Sequence, residues 1–97
     1  MPIYQLTPLA DNIAKMNQVL EARVAAEDRF PLQNGAGWLV CYSGTSTELS
    51  NMLGVTGQAQ GVAATLSSVL ITRIASYYGR GPSDMWEWLK TRFERAS

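Results

Sequence analysis

The chain has no histidine and a single cysteine, Cys41, among its 97 residues. Without histidine it lacks the commonest general base near neutral pH, and with it the usual Ser–His and Cys–His nucleophile pairs. Zinc sites built from cysteine and histidine are excluded as well, and no metal or cofactor is expected. A lone cysteine cannot close an intramolecular disulfide, so a reducing, cytoplasmic setting is the expectation. Charge is also scarce. Charged residues make up 16% of the chain, and eight basic and eight acidic side chains sum to zero. Phosphate backbones are held by clustered Lys and Arg, which a neutral chain supplies poorly. No apolar run approaches the ~18 residues of a membrane span. The N-terminus shows no basic-then-apolar leader pattern, so neither secretion nor membrane insertion is expected.

What is present fits a packed α+β domain. Hydrophobic residues make up 46% of the chain, a proportion that argues against disorder. The length suits one domain, residues 1–97, large enough to bury a core without staples. So little surface charge leaves room for a partner to cover part of the molecule, and a homodimer or a complex with another protein is expected.

Ile3, Tyr4 and Leu6 read as a short strand. Thr7-Pro8 reads as a helix start, with Thr7 as N-cap and Pro8 at the first helical position, where a missing N–H costs nothing. Leu9, Ile13, Met16, Leu20 and Val24 then form one apolar stripe, predicting a helix of about five turns that ends near Asp28. Phe30-Pro31 breaks it, with a further strand edge around Phe30–Gln33, and Asn34-Gly35-Ala36-Gly37 is a turn. Trp38 to Tyr42 is a strand that places Trp38, Val40 and Tyr42 on one face and Leu39 and Cys41 on the other. Both faces are apolar, so the strand is expected to be covered on both sides or to lie at an interface. Cys41, mid-strand and without a base nearby, reads as an inert buried thiol.

Thr45-Ser46-Thr47-Glu48 has capping-box spacing and opens a short helix with Leu49, Met52 and Leu53 inward and Gly54 at its close. Residues 55–64 form a glycine-interrupted connection. No charge occurs between Glu48 and Arg73, and the connection is expected to lie against protein. Leu66, Val69, Leu70, Arg73, Ile74 and Tyr77 would suit a helix. The β-branched density before a glycine-rich turn instead favours a strand, which is the reading adopted. Ser83 is expected to cap a last helix whose stripe is Trp86, Leu89 and Phe93, widened by Met85 and Trp88. Its acids Asp84 and Glu87 precede Lys90, Arg92 and Arg95, the favourable order for the helix dipole. The whole predicts a ferredoxin-like α+β sandwich, an antiparallel sheet with helices on one face.

The most informative stretch runs from Tyr77 to Trp88. Two of three tryptophans and two of four tyrosines fall within these twelve residues, so the junction is either a core anchor or a recognition surface. Tyr77, Tyr78, Arg80 and Trp88 are the candidate binding residues. Arg80, between Gly79 and Gly81, could fork onto a carboxylate or phosphate, although Asp84 competes for it. If the strands at 38–42 and 69–78 pair, Trp38, Tyr42, Tyr77 and Tyr78 could share a face on which nucleic-acid bases would stack. The chain has none of the aromatic and basic motifs that RNA-recognition modules carry, so core or interface packing is the simpler expectation. The Ser43–Thr47 turn lacks the Gly-Lys-Ser/Thr ending of a phosphate loop and reads as plain capping. The acidic pairs Glu27/Asp28 and Asp84/Glu87 read as caps and surface charges, with no acid–base couple assigned.

From Trp38 through the Thr-Ser-Thr-Glu-Leu helix start to the turn at Tyr78-Gly79, the chain resembles in topology the second half of small ferredoxin-like proteins related to the CRISPR spacer-acquisition nuclease. That resemblance implies a metal-binding aspartate at the end of the first strand. Ile3-Tyr4-Gln5-Leu6-Thr7 contains none, and the first acid, Asp11, falls within the predicted helix, so no site residue is carried over. The reading reached is a small non-enzymatic interaction domain with an accessory, inhibitor or antitoxin-like role, including one carried by a phage or mobile element. The alternative is a nucleic-acid-binding module that uses Arg73, Arg80 and exposed tyrosines.

Overall fold

The computed structural model describes residues 2–10, 12–64, 66, 68–76 and 78–96. There are four strands among the described residues, β1 (Ile3–Pro8), β2 (Arg29–Pro31), β3 (Trp38–Cys41) and β4 (Val69–Arg73); helix α1 (Ile13–Arg23) follows β1, α2 (Ser46–Leu53) follows β3, and α3 (Ser83–Ala96) follows β4. All pairings are antiparallel and the sheet order is β2-β3-β1-β4. This is the split β-α-β order of a ferredoxin-like sandwich, with α3 added to it.

The sheet is covered on both sides because β1 and β3 are apolar in both registers. Tyr4, Leu6, Trp38 and Val40 face α1 and α2, and pack with Met16, Val19, Leu20, Leu49 and Leu53. Ile3, Leu39 and Cys41 point the other way and pack with Leu89 of α3. Cys41 is buried and forms no disulfide. The expected alternation of β3 is therefore met, and α1 and α2 share one face while α3 covers part of the other.

Two local expectations are corrected. Thr7 and Pro8 do not start the helix; β1 runs through both, and α1 begins at Ile13. Bonds from Ile74 N–H to Ile3 and from Leu9 N–H to Ser68 show that odd residues of β1 point their backbone groups at β4. Pro8, an even residue, directs its missing donor towards the side where β3 has not yet begun, a place where a sheet tolerates proline. Leu9 and Ile13 consequently stay exposed, while Met16, Leu20 and Val24 are buried. The helix stops at Arg23, not near Asp28. Arg29 donates to the carbonyls of Leu20, which also accepts from Val24 N–H, and of Val24, so a β2 side chain caps the α1 terminus.

α2 follows its sequence closely. Thr45 Oγ1 accepts from Glu48 N–H at 3.1 Å while Thr45 N–H donates to Glu48 Oε1 at 3.0 Å. Gly54 then turns left-handed at φ 84° to close the helix. The connection beyond it departs from expectation: residues 59–64 face water. Uncharged is not apolar here, since Gln58 and Gln60 hydrate well, and the connection is pinned at its ends by Gln58 Nε2 donating to Gly54 O and by buried Leu66. Residues 69–73 adopt the strand, not the helix.

Candidate functional site

After β4 the backbone of Ile74 donates to Ile3 O, and the chain leaves the sheet towards α3. Gly79 takes φ 146°, a conformation side chains with a Cβ rarely adopt. The turn that follows is fastened by a tryptophan: Trp86 Nε1 donates to Gly81 O at 3.1 Å and Trp86 N–H to Pro82 O at 3.3 Å. Ser83 is the first residue of α3, so the helix starts one residue earlier than a Ser83 cap would place it. Asp84 Oδ1 accepts from Met85 N–H within the first turn, which commits this carboxylate to the backbone.

A groove of about 530 Å³ lies between the first half of α3 and the strands. Met85, Trp86 and Leu89 form the helix wall; Leu32, Leu39 and Ile74 form the sheet wall; Gln5, Arg73 and Ser76 supply polar groups, and Tyr78 stands at the rim. Tyr78 is 103% exposed, the most exposed large hydrophobic side chain described. Arg80, two residues on, is exposed as well.

Three of the four candidate residues are described, and they do not come together. Tyr78 and Arg80 lie on the open turn beside the groove. Trp88 is on another side of α3, where its ring meets Phe30 of β2 at 6.0 Å between centroids and 48° between planes. Arg92, one turn later, lies 5.0 Å over the Trp88 ring and donates to the carbonyl of Glu27. Trp88 is therefore an anchor between α3 and β2. Tyr77 lies outside the described residues. Sequence reasoning placed Trp86 only in a buried stripe, whereas it both fastens the turn and lines the groove; an indole five residues after a glycine carbonyl was the available signal.

Of the basic residues on α3 and the turn before it, Arg92 is turned onto backbone and indole, Lys90 and Arg80 are exposed, and the Arg95 side chain lies outside the described set. Among the described residues the aromatic platform does not assemble: Trp38 and Tyr42 pack towards α1 and α2, on the face opposite the groove, while Tyr78 is presented to solvent. Asp28 Oδ1 and Trp88 Nε1 are buried without a hydrogen-bond partner among the described residues.

Among the described residues no group of three or more Cys, Asp or Glu side chains could hold a metal, and no helix is long and apolar enough to cross a membrane. Asp11, the first acid after β1, falls outside the described residues. Comparison of the chain with protein-family models, with curated proteins and with solved structures gave no match in any of the three.

Proposed function

We propose that the chain is a non-enzymatic, cytoplasmic protein-interaction domain that receives an apolar segment of a protein partner in the groove between the sheet and α3. The observation that carries this reading is the make-up of the groove. Its helix wall is apolar and contains the adaptable Met85, the sheet side combines Leu32, Leu39 and Ile74 with the polar Gln5, Arg73 and Ser76, and a fully exposed tyrosine stands at its rim. Tyrosine and methionine supply contact area at small entropic cost, which suits recognition of a protein surface. Arg80 would add a charge at the edge of the contact, affecting encounter more than the seated complex. A neutral domain of this size fits an accessory, inhibitor or antitoxin-like role, including one carried by a phage or mobile element.

A photo-crosslinking residue placed at Tyr78, with Lys90 as an exposed control on α3, tests the reading in the source cell. A discrete protein adduct from position 78 that is absent from position 90, and that weakens in an Arg80→Glu background, supports it. Adducts to nucleic acid, or equal labelling from both positions, would overturn it.

A further inference from the structure

We propose that the free edge of β4 pairs with the same edge of a second copy of this chain, extending the sheet across a two-fold axis. The two edges of the sheet are built differently. β2 has three residues, starts with Arg29 and ends with Pro31, and short length, charge and proline are the usual means by which an edge is kept from pairing. β4 has five residues, Val-Leu-Ile-Thr-Arg, with no proline and no charge before Arg73.

The hydrogen-bond register gives the proposal its geometry. In antiparallel pairs, bonded residues alternate with non-bonded ones. The bonds Ile74 N–H to Ile3 O and Leu9 N–H to Ser68 O assign Ser68, Leu70, Thr72 and Ile74 to the side facing β1. Val69, Ile71 and Arg73 therefore turn their N–H and C=O groups outward, and among the described residues β4 pairs with β1 alone. Two copies placed antiparallel about Ile71 bring Val69 opposite Arg73, Ile71 opposite Ile71, and Arg73 opposite Val69. Each pair exchanges both of its hydrogen bonds, and the two arginines stay at opposite ends, so no like charges meet.

Side-chain chemistry points to the same occupant. Val69 and Ile71 are half-buried against the helix-side core, so pairing would extend that core from one copy to the next. On the other face half-exposed Leu70 would lie beside Thr72 of the partner copy. Residues 49–72 contain no charged side chain, so the one charge each copy brings to the paired strands is Arg73, at the strand end where its head can stay in water. A strand of five residues is only ~17 Å long, less edge than a stable interface of ~1,200 Å² needs. Further area has to come from neighbouring surface, and the connection at 59–64, which precedes β4 in the chain, is exposed and free of charge, with Val62 60% exposed.

The register predicts a crosslink that only this pairing gives. Leu70→Cys and Thr72→Cys variants of the full chain, both at exposed positions while Cys41 is buried, are treated with a mild two-electron thiol oxidant separately and as an equimolar mixture of the reduced proteins. The mixture should give covalent dimer in several-fold excess over either variant alone, because residue 70 of one copy faces residue 72 of the other. A Thr72→Lys variant should keep the wild-type circular dichroism spectrum and lose the concentration-dependent mass increase that wild type shows by light scattering. Equal crosslinking in all three samples, or wild type that stays at monomer mass up to the highest soluble concentration, would overturn the proposal.

Discussion

The guanidinium of Arg92 rests on the face of Trp88, 5.0 Å from the ring centroid, while the same group donates to the Glu27 carbonyl. One side chain thereby ties α3 to the segment between α1 and β2. Because Trp88 also stacks on Phe30, these contacts form a unit that fixes where α3 crosses the sheet, and with it the width of the groove. Replacing Arg92 with Ala should cost about 1–2 kcal/mol in denaturant unfolding. The Arg92→Ala and Trp88→Phe effects should be non-additive in a double-mutant cycle, since each removes part of one contact.

Gly37 sets a steeper test. A Cβ there would sit 2.0 Å from the Leu6 carbonyl oxygen, and the residue holds φ 131°. Backbone cannot yield as a flexible side chain can, so Gly37→Ala should destabilise by roughly 3 kcal/mol or more, or prevent folding. Gly61 also has positive φ, 83°, but a Cβ there meets nothing within 4 Å. Gly61→Ala should therefore cost only about 1–2 kcal/mol, the conformational part alone. Thermal unfolding of the two variants separates close approach from backbone angle.

The α2 cap predicts a smaller and cleaner loss. Thr45→Ala removes the acceptor for Glu48 N–H and should lower stability by about 1 kcal/mol. Glu48→Gln keeps the return bond from Thr45 N–H and should cost less, by urea denaturation of both variants.

Tyr78→Ala should leave unfolding midpoints unchanged, because the ring is fully exposed, and should reduce capture of the partner by a factor of ten or more if the ring anchors the complex. Leu39→Ala would affect both, so it serves as the contrasting variant.

Fluorescence anisotropy with labelled single-stranded RNA, single-stranded DNA and duplex DNA should show no binding at physiological salt and none that grows as salt is lowered. Stacking platforms use several rings, and here Trp38 and Tyr42 are turned into the helix-side core.

Much of this architecture could be read from residue order. The double apolar register of β3, the Thr45–Glu48 box and the dipole-matched charges of α3 are local signals, and local signals survive folding. Pro8 misled because proline at a helix start and proline at a strand end look alike until the neighbouring strand is known. The early stop of α1 was hidden for a similar reason, since its C-terminal acceptors are met by Arg29, beyond the helix in sequence. The groove depends on where α3 crosses the sheet, which Arg92 and Trp88 decide across 65 residues of chain between Glu27 and Arg92. Periodicity carries no trace of such a distance.

β1 lies in the interior of the sheet, between β3 and β4, and is made before either of them. On the ribosome it therefore has no strand to pair with until Trp38–Cys41 has emerged, and its other side waits for Val69–Arg73. At ~5–20 residues per second the wait lasts several seconds. During that interval Ile3, Tyr4 and Leu6, later among the most deeply buried side chains, are open to chaperones and to other nascent chains. The order of translation is thus opposed to the order of pairing, and acquisition of the native sheet has to be a late, nearly all-at-once event.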